Sequence, residues 1–140
     1  MTNTSLAASY LTKARARLAI LPVLDAAGAY SDVVREAQEI VELALKGILR
    51  HVGVEPPKWH DVGGFVREHR SRLAAVDDVT VERLAEISAW LRKEREFSFY
   101  GDIDFLPTEQ YTPSDAGRAI ADATFVVEIA SQVIQPGGSA

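Results

Sequence analysis

Cysteine is absent from the 140-residue chain, which excludes a disulfide framework, a thiolate nucleophile and cysteine-ligated zinc. Long apolar runs are absent as well, and none approaches the ~20 residues that span a bilayer. The amino-terminal MTNTSLAASY has no basic stretch followed by a long apolar core, so no signal peptide and a cytoplasmic location are expected. Phosphate loops are missing, because Gly63-Gly64 and Gly137-Gly138 stand in neither a P-loop nor a dinucleotide-binding context. No serine sits in an elbow motif, and the scattered acids of 101–115 do not form a calcium loop. Basic side chains are scarce in one place. Residues 1–100 carry 14 Lys/Arg and 14 Asp/Glu, whereas 101–140 carry six acids (Asp102, Asp104, Glu109, Asp115, Asp122, Glu128) against Arg118 alone. The whole net charge of -5 therefore lies in the last 40 residues. Such a balance discourages tight, nonspecific nucleic-acid binding and leaves room for a local basic patch.

The remaining composition is that of an ordinary soluble domain, 47% hydrophobic and 25% charged. One core at this length buries roughly 68–70% of the unfolded chain's surface without a metal or disulfide staple. We expect a single domain over 1–140 with a core of about 5–135. The apolar period is helical nearly throughout. Leu11, Ala14, Leu18 and Leu21 share one face of a first helix, ended by Pro22 and a turn at Ala27-Gly28. Ser31 is the expected N-cap of the second helix, with Asp32 in its first turn. That helix is the strongest element: Val33, Ala37, Ile40, Ala44, Ile48 and Val52 form a stripe, widened by Val41, Leu45 and Leu49. Arg35, Glu39, Glu42 and Lys46 stand opposite. Gly53 is placed to close it, before Pro56-Pro57. A brief helix around Gly64 to Arg72, weakened by Gly63-Gly64, leads to a third long helix with Thr80 as N-cap and Glu82 in its first turn. Its stripe is Leu84, Ile87 and Leu91, with Trp90 beside it; Arg92, Lys93 and Arg95 are expected in its last turns, where cations complement the helix dipole. The segment YGDIDFLPTEQYT has no helical period. Thr112-Pro113 opens the last helix, with Asp115 in a capping-box position and a stripe of Ile120, Ala123, Val127, Ala130 and Ile134 that ends at Pro136-Gly137-Gly138. Short connections predict an all-α, up-and-down bundle of four or five helices. The stripes of the second and last helices are also candidates for a helical dimer interface.

His51, His60 and His69 show no helical zinc pair, and no metal and no cofactor are expected. His60-Asp61 lacks the distant histidine and aspartate of a metal-dependent HD phosphohydrolase, since His51 is only nine residues upstream. The densest chemistry is LRKEREFSFYGD, residues 91–102, with three cations and three aromatics at the expected end of a helix. Arg95 and Tyr100, five residues apart across that end, are candidates to project into one cleft, with Arg92, Lys93 and Asp102 as ligand-binding neighbours. Arginine offers a planar fork for phosphate, and Tyr and Phe offer stacking faces for a base. The competing reading is structural: cations favour a helix C-terminus without any ligand, and Phe97 and Phe99 can simply close the bundle.

Four stretches carry a resemblance to the HEPN domain proteins (higher eukaryotes and prokaryotes nucleotide-binding): SYLTKARARLAIL, YSDVVREAQEIVELALKGILRHVGVEPPKWHDVG, LRKEREFSFYGD and SDAGRAIADATFVVEIA. The resemblance implies an all-α bundle, commonly homodimeric. Many members are toxins of prokaryotic toxin–antitoxin pairs, often partnered by a minimal nucleotidyltransferase. It also implies, for active members, metal-independent cleavage of RNA by an Arg followed after four to six residues by a His, the Arg stabilising phosphate and the His moving protons. Here Arg95 matches the Arg, and Tyr100 occupies the His slot. A tyrosine with its ordinary pKa of ~10 is a poor general base near neutrality. Three readings follow: a nucleotide- or RNA-phosphate-binding partner module, a ribonuclease toxin with a diverged Arg/Tyr site, and a non-catalytic helical dimer. Asp102 and Asp104 lie close enough in sequence to mask Arg92 or Arg95.

Overall fold

A computed structural model of the chain describes residues 2–58, 61–100 and 111–135, with the side chains of 95–100 outside that description. Its helices are α1 (Asn3–Leu18), α2 (Leu21–Ala26), α3 (Tyr30–His51), α4 (Val62–Glu68), α5 (Asp78–Tyr100) and α6 (Pro113–Ile134), with a 3-10 turn at Arg70–Arg72; no strand occurs among the described residues. The expected irregular segment and the Pro136-Gly137-Gly138 end lie largely outside the described residues.

Several ends form where the chemistry of capping places them. Thr112 accepts from the Asp115 amide at 3.1 Å, and the Asp115 carboxylate accepts from the Thr112 amide at 2.9 Å, a complete capping box followed by Pro113. Gly53 leaves α3 at φ +80, the left-handed geometry that glycine adopts without strain. Other ends differ from expectation. Pro22 opens the six-residue α2 instead of only ending α1, because a proline in a helix's first turn gives up no hydrogen bond. Ser31 is not the N-cap of α3. Gly28, at φ 74, turns the chain so that the Ala29 amide bonds back to the Leu24 carbonyl at 2.9 Å; helix already begins at Tyr30, and Ser31 is buried. Thr80 does not cap α5. Asp77 does, accepting from the Thr80 amide at 2.8 Å; hydrogen bonding from the Thr80 hydroxyl, and then from that amide, holds the Asp77 carboxyl below its usual pKa.

The long helices run up and down. Gly47 of α3 lies beside Ala7 and Tyr10 of α1, and Arg17 near the end of α1 pairs with Glu36 at 2.7 Å, so α1 and α3 are antiparallel. Arg83 stacks over Phe125, and Trp90, about two turns further along α5, bonds Asp122, so α5 and α6 are antiparallel. The centre is α3. Val33, Ala37, Ile40, Ala44, Leu45, Ile48 and Leu49 are all 0% exposed, covered by α1, α5 and α6. The stripes considered for a dimer interface are thus consumed within one chain: those α3 residues, and Ala123, Val127, Ala130 and Ile134 of α6, are core. Among the described residues no helix is long and apolar enough to cross a membrane.

Candidate functional site

The site is built by the close approach of α4 to α5. Asp61 caps α4, its Oδ1 accepting from the Gly63 amide at 3.1 Å. Gly63 is buried against α5: a Cβ there would stand 2.7 Å from Ser88 Cβ and 3.0 Å from Ala85 Cα. The glycine that seemed only to weaken this helix is what lets the two helices touch. The approach brings Ser88 Oγ to 3.4 Å from Asp61 Oδ1. One turn further along α5 stand Arg92 and, on the neighbouring row with Ala89, Lys93. Asp61, Ala89, Arg92 and Lys93 line an open cleft of about 280 Å³.

Arg92 and Lys93 are exposed, and among the described residues neither has an ion-pair or hydrogen-bond partner. Other cations of the region differ. Arg67 and Arg70 are held by Glu82 at 2.9 and 2.6 Å, and Arg70 also reaches Asp78 at 3.6 Å. These contacts, led by the Arg70 hydrogen bond, keep the Glu82 carboxyl below its usual pKa. Arg118 stacks on Trp90, 4.0 Å from the ring centroid, and pairs with Asp122 at 3.7 Å. Arg83 covers Phe125 at 4.1 Å. Among the described cations around α5, Arg92 and Lys93 therefore have no partner within the described residues.

Helix α5 continues through Tyr100, so Arg92 and Lys93 lie two turns inside it and not in its last turn. Compensation of the helix dipole, which acts within the last turn, does not account for them there. Positions 95 and 100 belong to the same helix, about 140° apart around its axis. Their side chains, and all of Asp102 and Asp104, lie outside the described residues, as do Trp59 and His60. Glu94 points elsewhere. Its carboxylate and carbonyl each accept from the Tyr111 hydroxyl at 2.9 Å, and burial with this carboxylate beside it pushes the Tyr111 phenol well above its usual pKa. His69 Nδ1 lies 2.9 Å from the Phe65 carbonyl with its ring against Phe65, and His51 Nδ1 is buried without a partner among the described residues. No cluster of three or more metal-ligating side chains occurs among the described residues.

Sequence reasoning picked out Arg92 and Lys93 and missed the opposite wall. Asp61 entered only as half of a His-Asp pair. The available signal was the order Asp61-Val62-Gly63-Gly64, a cap followed by a glycine able to pack tightly.

An all-helical up-and-down bundle with a basic position on its third long helix is the class that the fold and cleft define. The HEPN domain family model matches residues 7–133, nearly the whole chain, and the chain belongs to the HEPN family. No curated protein and no solved structure matches it.

Proposed function

We propose that this HEPN domain holds the phosphate of a nucleotide or of RNA on α5, as the HEPN half of a toxin–antitoxin-type pair or as the partner of a minimal nucleotidyltransferase, working in the cytoplasm as a homodimer. The observation that carries the reading is that Arg92 and Lys93, on the wall of an open cleft, have no ion-pair or hydrogen-bond partner among the described residues. A guanidinium fork takes two phosphate oxygens at once and an ammonium adds a point charge. Both are exposed, so binding depends on salt, as phosphate contacts do. Arg95, Tyr100 and Asp102 complete the proposed site: Arg95 as the family's phosphate residue, Tyr100 as a neutral hydrogen-bond donor, and Asp102 as the carboxylate that competes for the cations. Without a histidine in the motif, the site binds and has no ready proton shuttle at neutral pH.

The test is RNA cleavage in EDTA beside equilibrium binding of nucleotides and short RNA. The proposal predicts salt-sensitive binding, weakened at least tenfold in Arg92→Glu/Lys93→Glu, and no cleavage. Cleavage in EDTA that Arg95→Ala abolishes would replace it with the ribonuclease reading. Absence of binding to nucleotide, RNA and a co-expressed nucleotidyltransferase would leave a structural helical dimer.

A further inference from the structure

We propose that the α4–α5 cleft selects guanine, with the Asp61 carboxylate accepting from the base while Arg92 and Lys93 take the phosphate. The inference rests on the phosphate-binding reading and extends it to the identity of the base. Asp61 Oδ1 is held from two sides, by the Gly63 amide at 3.1 Å and Ser88 Oγ at 3.4 Å, which fixes the plane of the carboxylate. Oδ2 accepts no hydrogen bond among the described residues, so the cleft presents an oriented acceptor. The cations on the same cleft do not neutralise it: neither Arg92 nor Lys93 forms an ion pair with Asp61. A ligand that satisfies both walls carries an anion at one end and N–H donors at the other. Guanine meets a carboxylate with two parallel donors, N1–H and the 2-amino group, one on the open Oδ2 and the other on Oδ1 in place of the long 3.4 Å contact from Ser88. Cytosine and adenine each bring a single amino donor beside an acceptor nitrogen, and uracil brings one N–H flanked by two carbonyls that the carboxylate repels. Ala89, exposed and small, leaves room between the walls for a ring, in a space near the lower end of known ligand sites. The guanine edge must be unpaired, so its source is a free guanosine phosphate or a guanosine in single-stranded RNA.

Calorimetric titration of the full chain with GMP, IMP, AMP, CMP and UMP, and with single-stranded RNA pentamers with and without one G, tests this. GMP is expected to bind about tenfold more tightly than the other mononucleotides, and IMP, which lacks the 2-amino group, to lose most of that margin. Preference for the G-containing pentamer over GMP identifies RNA as the source; the reverse identifies the free nucleotide. Asp61→Asn keeps a good N-cap for α4 but turns an amide toward guanine, and should erase the preference while leaving the affinity common to all nucleotides. Asp61→Ser, also a good cap, is the second variant and should do the same. Equal binding of all bases by the wild type, or equal loss of all bases in both Asp61 variants, overturns the guanine assignment and spares the phosphate site. Failure of every nucleotide and RNA to bind overturns the phosphate site itself.

Discussion

At the scale of the residue, what sets Arg92 and Lys93 apart from the other described cations around α5 is the company those keep. Arg67, Arg70, Arg83 and Arg118 are each committed to a carboxylate or an aromatic ring, and their replacement should read out as stability. Arg118→Ala, which removes a stacking contact on Trp90, should cost about 0.5–1 kcal/mol in urea unfolding and leave nucleotide binding intact. Arg92→Ala should do the opposite. Tyr111 separates folding from function in the same way. It is buried, and its hydroxyl donates to Glu94, so Tyr111→Phe should lose about 1–2 kcal/mol, part of it from stranding the carboxylate. The phenol pKa is raised by folding. Its contribution is therefore fully present below the ordinary phenol pKa of ~10 and is lost as pH rises through the higher folded value. Spectrophotometric titration should show a tyrosine that ionises only above the ordinary phenol range and is freed on unfolding.

At the scale of the element, caps and close approaches decide stability. Thr112→Ala removes the side-chain acceptor for the Asp115 amide, leaving only the backbone half of the α6 capping box, and should cost ~1 kcal/mol. Gly63→Ala places a methyl against Ser88 Cβ and the backbone of Ala85, so α4 must move off α5, at about 1–3 kcal/mol. Because that movement carries Asp61 away from Ser88, Gly63→Ala should also weaken nucleotide binding, whereas Thr112→Ala should not. The same elements show what was legible in the sequence. The α3 and α6 stripes are long and periodic, and every expected core residue from Val33 to Leu49 is buried. The α6 cap was legible because Thr112, Pro113 and Asp115 act on one another within four residues. The starts of α3 and α5 were not. Ser31 and Thr80 are good caps by type, but the turn at Gly28 and the carboxylate of Asp77 had already begun each helix. Helix α2 was hidden because Pro22 reads equally as a stop and as a first-turn residue.

At the scale of the molecule, the charge imbalance is partly structural. Of the six acids after residue 100, Asp115 is used in the α6 cap and Asp122 in the pair with Trp90 and Arg118. The site was half legible for a related reason. Arg92 and Lys93 announce themselves as a local run, but the bond that builds the opposite wall joins Asp61 to Ser88, 27 residues apart, and depends on a glycine contact that no local period reports. Burial of the α3 and α6 stripes within one chain also moves any dimer contact to another surface. Light scattering at high protein concentration should give twice the 15.3 kDa chain mass, and Arg92→Glu/Lys93→Glu should keep its helical circular dichroism. A two-dimensional amide NMR titration of the full chain with GMP tests ligand binding at the α4–α5 cleft most directly. Shifts concentrated at residues 61–64 and 88–93, and lost in Arg92→Glu/Lys93→Glu, are expected. Shifts centred elsewhere in the bundle, or shifts that survive the double reversal unchanged, would contradict binding there.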